Sequence, residues 1–549
     1  MRTGSYTSEG VKDFRRMLRE PLLFLTILAI VLFTCYFVIW PVIRLVTLSK
    51  PAEYAIFWNT PRWLRALGNS MMMMVLSTVS CTAVAFIFSY TMTRLDVPFK
   101  KLFRFVTLLP VVSPPFIVAL SYILLFGIQG IITKGLLGLH VDLYGRLGLW
   151  IVQTVTFFPY AFSVIYGVMG KVSPNLEYAA YNMGASRLQV FKDVFWPLCR
   201  PGVAGGALMA AINVLTDFGN PLMIGGDLAL LPTEAYMQIV GWYDMKTASI
   251  LAVVLLIPSF LIFAVNRFWV GKRSYVTVTG KEISLQPYKV PGLVKWSMFG
   301  FCAAVSAFVL LVYGTLFVGA FTKAVGYDWS YTLSNFQYVW GKFGQIWNSI
   351  RFATLSSGFA TLLGMILAYI VQKKSVGINR ALDFLAVLPS AVPGMFLGLS
   401  YVIAFNAPPV RLTNTGFIMV LALMFWNLPT CYSASVAAIQ QIGNSVEDAA
   451  LNLGASSFRS FCDVILPLLR IPFLSGFVIS FLRSMTCLSV IIFIYAPATT
   501  VGTASILALV SNGYWGSAAA FTLILISIAF GVLYLAEYLL RKRGASLNL

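Results

Sequence analysis

Twelve apolar runs, each near or above the roughly 20 residues that a helix needs to cross a bilayer, dominate this 549-residue chain. They lie near 21–47, 70–92, 103–128, 147–169, 201–225, 248–270, 296–321, 349–372, 381–406, 415–439, 472–495 and 517–540. In hydrocarbon an extended segment would leave its N–H and C=O groups unpaired, so each run is expected as a helix. The runs follow one another along the whole chain and leave no stretch for a large soluble domain. Composition agrees. The chain is 59% hydrophobic and 11% charged, against about 45–50% and about 25% in a soluble domain. The same balance excludes disorder. Seven scattered cysteines exclude a disulfide scaffold and any CxxC metal site. The expected fold class is an all-α membrane protein.

The net charge of +20 would suggest nucleic acid in a soluble protein. Here the basic residues sit in short loops beside apolar runs, so the expected partner is the lipid bilayer and not nucleic acid. If the N-terminus is inside, Arg15, Arg16, Lys100, Lys101, Lys171, Arg187, Lys272, Arg273, Lys373, Lys374 and Arg541 all fall on the cytoplasmic side. The opposite loops carry far fewer, so both termini are expected in the cytoplasm. The first run follows a basic stretch but is too long for a signal-peptide core, and reads as an uncleaved helix. The single histidine, His140, falls in a predicted outside loop and cannot build a His-based zinc site. Met71 to Met74 point all round a helix and read as packing.

The chain contains an internal repeat. Leu109 to Pro114 (LPVVSP) and the following Leu120-Ser121-Tyr122 match Leu388 to Pro393 (LPSAVP) and Leu399-Ser400-Tyr401, 279 positions on. Asn69-Ser70 and Asn348-Ser349 share that offset. Further along, Glu177 to Ser186 matches Glu447 to Ser456, and Asp193 to Leu198 matches Asp463 to Leu468, at an offset of 270. The difference is a short insertion in the first half near 129–146. The expected organisation is a first six-helix half at 1–270, a basic cytoplasmic linker at 271–295 and a second half at 296–549. Each half begins and ends inside, so the repeats are parallel, an arrangement that suggests transport with a path between the halves.

The duplicated segment lies in the cytoplasmic loop between the fourth and fifth spans of each half. Pro174-Asn175 reads as a turn before a short helix, with Glu177 in its first turn suiting the helix dipole. Gly184 and Gly454 would end that helix in left-handed C-cap geometry. A second amphipathic helix, Arg187 to Trp196, is expected to stop at Pro197, and its counterpart from Phe458 to Leu466 at Pro467. Two copies of a small helix-turn-helix held under the membrane point to docking surfaces.

This loop resembles the EAA motif of bacterial binding-protein-dependent ABC importer permeases: Glu-Ala-Ala, three residues, Gly, nine residues, Ile-x-Leu-Pro. Ala179, Ala180, Gly184 and Pro197 match in the first copy, and Ala449, Ala450, Gly454 and Pro467 in the second. The motif's Glu falls on Tyr178 and Asp448, while Glu177 and Glu447 stand one position earlier. The resemblance implies the type I ABC importer permease fold, with each loop inserting a coupling helix into a cytoplasmic ATPase subunit. Tyr178 departs from the pattern, and Glu177 is the candidate to serve in its place. Also implied are two ATPase copies, a periplasmic solute-binding protein and alternating access in the bacterial inner membrane. The chain has no G-x-x-x-x-G-K-[ST], so ATP and magnesium are expected on the partner ATPase, with no cofactor, metal or catalytic residue here.

The stretch Thr216-Asp217-Phe218-Gly219-Asn220-Pro221 and the segment from Trp269 to Lys281 resemble iron(III)-type fused permeases. Relatives for 2-aminoethylphosphonate, sugar phosphates and thiamine leave the solute open. Asp217 is an ionisable group within a span, which marks either a path or a helix cap. Arg483, in the eleventh span, could pair with it or meet an anionic solute. Thr216, Asp217, Asn220 and Arg483 are therefore the candidate translocation path. The rival class is an ion-gradient-driven secondary carrier, which would need no duplicated coupling loops.

Overall fold

A computed structural model describes residues 21–128, 130–139, 143–270, 290–325, 327–374, 376–454 and 457–542. His140, most of the 271–295 linker and the N-terminal basic stretch lie outside the described residues. The first half supplies α1 (Pro21–Thr34), α2 (Trp40–Thr47), α3 (Pro61–Arg94), α4 (Lys100–Val112), α5 (Ile117–Phe126) and α6 (Arg146–Met169). After these come α7 (Pro174–Asn182), α8 (Trp196–Leu215), α9 (Gly219–Ile224), α10 (Leu231–Val240) and α11 (Met245–Val265). The second half supplies α12 (Gly292–Ala320), the strands β1 (Thr322–Ala324) and β2 (Asp328–Tyr331), then α13 (Phe343–Lys373), α14 (Asn379–Val387), α15 (Gly394–Phe405) and α16 (Gly416–Ile439). It ends with α17 (Asn444–Asn452), α18 (Arg470–Thr486), α19 (Gly502–Ser511) and α20 (Trp515–Arg541). Among the described residues, ten helices are long and apolar enough to cross a membrane, or twelve if each of two bent pairs is one span. Among the described residues the strands form one antiparallel hairpin, β1–β2, with Thr322 opposite Tyr331.

Proline and polar side chains break several spans that read as continuous helices. The third run of the first half stops at Val112, turns at Ser113-Pro114 and restarts as α5. Its counterpart bends by 103° before Gly394, where Pro393 has extended backbone. A proline donates no backbone hydrogen bond and forces its predecessor out of helical geometry. The fifth runs end early, at Leu215 and Thr486.

Pro197 does the opposite of what its position suggests. Residues 187–215 run on as one apolar helical segment, with Pro197 in the first turn of α8. The preceding Val190–Phe195 is π-helical, and this wider turn absorbs the missing N–H. In the second copy Phe461–Ile465 is also π-helical, and the chain then bends by 53° before Arg470.

The chain packs as two units, one of Pro51–Gly341 with Ile506–Leu523, the other of Met1–Lys50, Lys342–Ser505 and Ile524–Leu549. In the first of these, α3, α6 and α8 pack together. Gly206 on α8 permits that approach, because a Cβ there would lie 2.8 Å from Ile165 Cγ1 and 3.0 Å from the Ala161 carbonyl. Small residues of this kind drive helix association where lipid removes the hydrophobic drive. The other unit repeats the arrangement with α13, α16 and α18. Neither unit is a sequence half, because the leading spans are exchanged. α12, which opens the second half, packs on α5, and α2 from the first half packs on α15.

Two tyrosines, Tyr401 buried and Tyr313 half-buried, hold the exchanged helices. Tyr313 of α12 and Ser113 hydrogen-bond through their hydroxyls at 2.5 Å. Tyr401 of α15 donates to the Phe37 carbonyl at 2.7 Å. Tyr401→Phe should therefore lower stability by about 1 kcal/mol, read as a lower thermal unfolding midpoint in detergent.

Candidate functional site

The two copies of the cytoplasmic-type loop are built alike. In the first, Ser173 Oγ accepts from Asn175 N and opens α7, with Pro174 in its first turn. The helix ends at Gly184, whose φ is +89°, and the second copy ends at Gly454 with φ +87°. Both are left-handed values that a side chain strains.

The acidic residues face inward. Glu177 is buried, with Oε1 2.9 Å from Nε of Arg94, the last residue of α3. Arg94 also donates through Nη2 to the Val172 carbonyl at 2.9 Å and lies over the Phe195 ring. Burial pushes the Glu177 carboxyl above the usual glutamate range, and Arg94 opposes that shift. In the second copy Lys374 Nζ stands 2.7 Å from Glu447 Oε1, and Tyr369 donates its hydroxyl to the same oxygen at 2.7 Å. Tyr90, 279 positions before Tyr369, packs edge-on against the Phe195 ring in the first copy. Each loop is thus clamped by its own glutamate to the end of the second span of its half.

Each loop exposes large apolar side chains among polar ones such as Asn182, Arg187 and Asn452. Tyr178 is 39% exposed, Leu188 75%, Met183 82% and Leu453 89%. Met183 and Leu453 occupy the same repeat position, one residue before the terminating glycine. Neither was singled out in the sequence. The signal was there, in a large apolar residue beside the C-cap of a short polar helix. Ala180 is buried and Ala179 exposed, Ala449 is exposed and Ala450 half-buried. The Asp448 side chain lies outside what the structure describes.

The path candidates divide between the units. Asp217 is buried in the break between α8 and α9. It accepts from Gln153 Nε2 at 3.0 Å, Asn220 N at 3.3 Å and Asn220 Nδ2 at 3.1 Å. Ser77 Oγ donates to Gln153 Oε1 at 2.9 Å and extends the chain of bonds. Asp217 therefore caps α9 within the membrane region. Thr216 continues the last turn of α8, its N–H bonded to the Ile212 carbonyl. Arg483 belongs to the other unit, where it donates to Thr430 and stacks over Trp426 with 4.6 Å to the ring centroid. Each charged candidate finds its partners inside its own unit.

At the opposite end of α3 from Arg94 lies a cleft of about 480 Å³ lined by Arg62, Arg65, Asn69, Asp227 and Glu234 among others. Glu234 is buried and gripped by Arg62, with Nη2 2.9 Å from Oε1. The repeat positions of Arg62 and Arg65 are Gly341 and Gly344. Among the described residues no group of three or more His, Cys, Asp or Glu could hold a metal ion.

Comparison with known proteins resolves what this duplicated frame is. Residues 84–275 and 360–544 each match the model of the binding-protein-dependent transport system inner membrane component. The chain belongs to this family. As a permease it is 32% identical to the ferric transport system permease protein FbpB of Actinobacillus pleuropneumoniae, over 93% of this chain and 77% of that one. The putative ferric transport system permease protein FbpB 1 of Haemophilus influenzae is 32% identical over 87% and 78%. The putative 2-aminoethylphosphonate permease PhnV of Salmonella typhimurium is 28% identical over 37% of this chain. A solved bacterial alginate ABC transporter, bound to an alginate-loaded periplasmic protein, aligns with TM-score 0.41 at 14% identity over 48% of this chain and 99% of that one.

The clamp makes a pH-dependent prediction. Arg94→Met leaves the buried Glu177 unpaired and should cost about 3–5 kcal/mol at neutral pH. Burial raises the folded-state pKa of Glu177, so the protonated fold is favoured below the unfolded value and that advantage is lost as pH rises through the folded one. The variant's deficit in thermal stability should be smaller at pH 5 than at pH 8. Adding Glu177→Gln should recover part of the loss.

Proposed function

We propose that this permease is the transmembrane subunit of an ATP-driven importer for iron(III). The observation that carries the solute assignment is the 32% identity to two ferric transport permeases along 93% and 87% of the chain. The phosphonate relatives cover only 37%, so they support the alternative weakly. The two clamped loops and the family match over both halves support ATP as the energy source.

Both termini lie in the cytoplasm, as the distribution of Lys and Arg directs. Two copies of a separate ATPase each receive one coupling helix, and ATP and magnesium reside there. A periplasmic binding protein delivers the solute to the opposite face. ATP-driven closure of the ATPases moves the coupling helices and switches the halves from inward- to outward-facing. Glu177 and Glu447 act inside the permease as clamps. The surface offered to each ATPase is the apolar tip bearing Met183 and Leu453, with Gly184 and Gly454 setting its angle. Asp217 lies on the path as a cap that shapes the broken fifth span.

Purification from native membranes in mild detergent should bring down two copies of a P-loop ATPase per chain. Absence of an ATPase, with uptake collapsing when the ion gradient is abolished, would point to a secondary carrier instead. Met183→Asp with Leu453→Asp should abolish ATP-dependent iron uptake and ATPase recovery while leaving membrane insertion and the thermal midpoint unchanged, because both side chains project into solvent.

A further inference from the structure

The second span of each half is a single unbroken helix held at both ends. α3 carries the coupling-loop clamp at Arg94. α13 ends at Lys373, and Lys374 immediately beyond it carries the second clamp. At the other end, Asn69 Nδ2 donates to the Ala229 carbonyl at 3.0 Å. Its neighbour Ser70 Oγ accepts from Leu231 N at 3.0 Å. In α13, Asn348 Nδ2 donates to the carbonyls of Ala498 and Thr500 at 3.1 and 3.0 Å. Ser349 Oγ accepts from Gly502 N at 2.8 Å. Both serines are buried. The segments they grip follow the break of the fifth span and lead to the sixth.

Three features make this more than loop packing. The Asn-Ser pair is retained between halves whose flanking residues diverge, Arg65 becoming Gly344 and Met71 becoming Ile350. The gripped atoms are all backbone, so the loops can vary in sequence while the hold stays the same. The 25 helical rises from Asn69 to Arg94 span about 37 Å, the order of a membrane's thickness. We infer that Asn69-Ser70 and Asn348-Ser349 are positioning residues for transport, clasps that make the segment beyond each fifth-span break move with the second span and hence with the coupling helix at its far end. This rests on the importer reading. It adds that each half transmits the ATPase stroke across the membrane through one rod with two fixed ends.

The test uses the whole complex of permease, ATPase and binding protein in lipid vesicles. Asn69→Asp with Asn348→Asp keeps the side-chain shape and removes the donor, whereas Asn→Gln at both positions keeps a donor. Spin labels on introduced cysteines at Gly68 and Asp227, both exposed, report the separation of rod and loop without reference to the solute. In the wild type and the Gln variant that separation should be narrow and the same with and without ATP. In the Asp variant it should broaden and change with nucleotide. Uptake of ferric iron per ATP hydrolysed should fall on the order of tenfold, as the loss of one or two hydrogen bonds allows, with basal hydrolysis unchanged. A narrow, nucleotide-independent separation in the Asp variant overturns the clasp. So does a parallel loss of basal hydrolysis and uptake, which marks an ordinary structural role. A wild-type complex that never couples ATP to uptake overturns the importer reading, and the clasp falls with it.

Discussion

Within hydrocarbon every backbone N–H and C=O must find a partner in the protein, and this permease interrupts helices inside its apolar runs. Three of the interruptions carry a polar supplement. Ser113 meets Tyr313 at the third-span break of one unit. Asp217 takes the Asn220 N–H at the start of α9. In the second half the break after Thr486 uses neutral groups, with Thr503 Oγ1 donating to the Cys487 carbonyl at 2.9 Å. Thr499 Oγ1 accepts from Ala496 N at 2.9 Å. The comparison separates two roles in Asp217. A broken fifth span can be satisfied without a carboxylate, since Cys487 stands at the same repeat position. The geometry of the break thus accounts for a polar group at Asp217 but not for its charge.

Duplication supplies a second internal control. What both halves keep is mechanical: the proline breaks, the three-helix packing, the glutamate clamps, the Asn-Ser clasps and the left-handed glycines. What they do not share is chiefly charge. Gln153, Asp217, Arg62 and Arg65 have Leu423, Cys487, Gly341 and Gly344 as counterparts. Arg483 runs the other way, matching an uncharged Asn213. The proposed import cycle moves two equivalent arms and so needs symmetric joints, whereas the proposed solute and delivering protein are asymmetric, and the charges are free to follow them.

Much of this was legible because it rests on local rules. Span count and the fusion follow from apolar length and offsets, and the helix stops at Gly184 and Gly454 follow from backbone sterics. The misreadings came where a tertiary or non-local partner decided. Pro197 looked like a terminator, yet the π-helical turn before it carries the chain on into α8. The breaks in the third and fifth runs were hidden because apolar content is the same in a bent span as in a straight one. The exchange of α2 and α12 between units leaves no trace in either helix, since lipid-facing and protein-facing apolar residues look alike in sequence. Asn69-Ser70 was visible as a repeat but had no assigned purpose, because its partners are backbone atoms about 160 residues away.

The position of the loop glutamate shows how a one-residue difference alters what its carboxylate touches. One step along an α-helix rotates a side chain by about 100°. At Glu177 that rotation brings the carboxylate under the loop, onto Arg94, and leaves Tyr178 outside. Glu447 makes the same turn toward Lys374 and Tyr369. An exposed ion pair to a partner would contribute little and be screened by salt. A buried pair holds the loop rigidly on the second span, because removing either partner strands the other. In the proposed importer the apolar side chains at Met183 and Leu453 meet the ATPase, and force applied there reaches the second span through the clamp. On that proposal, coupling depends less on matching charges with the partner than on the stiffness of the loop's own attachment.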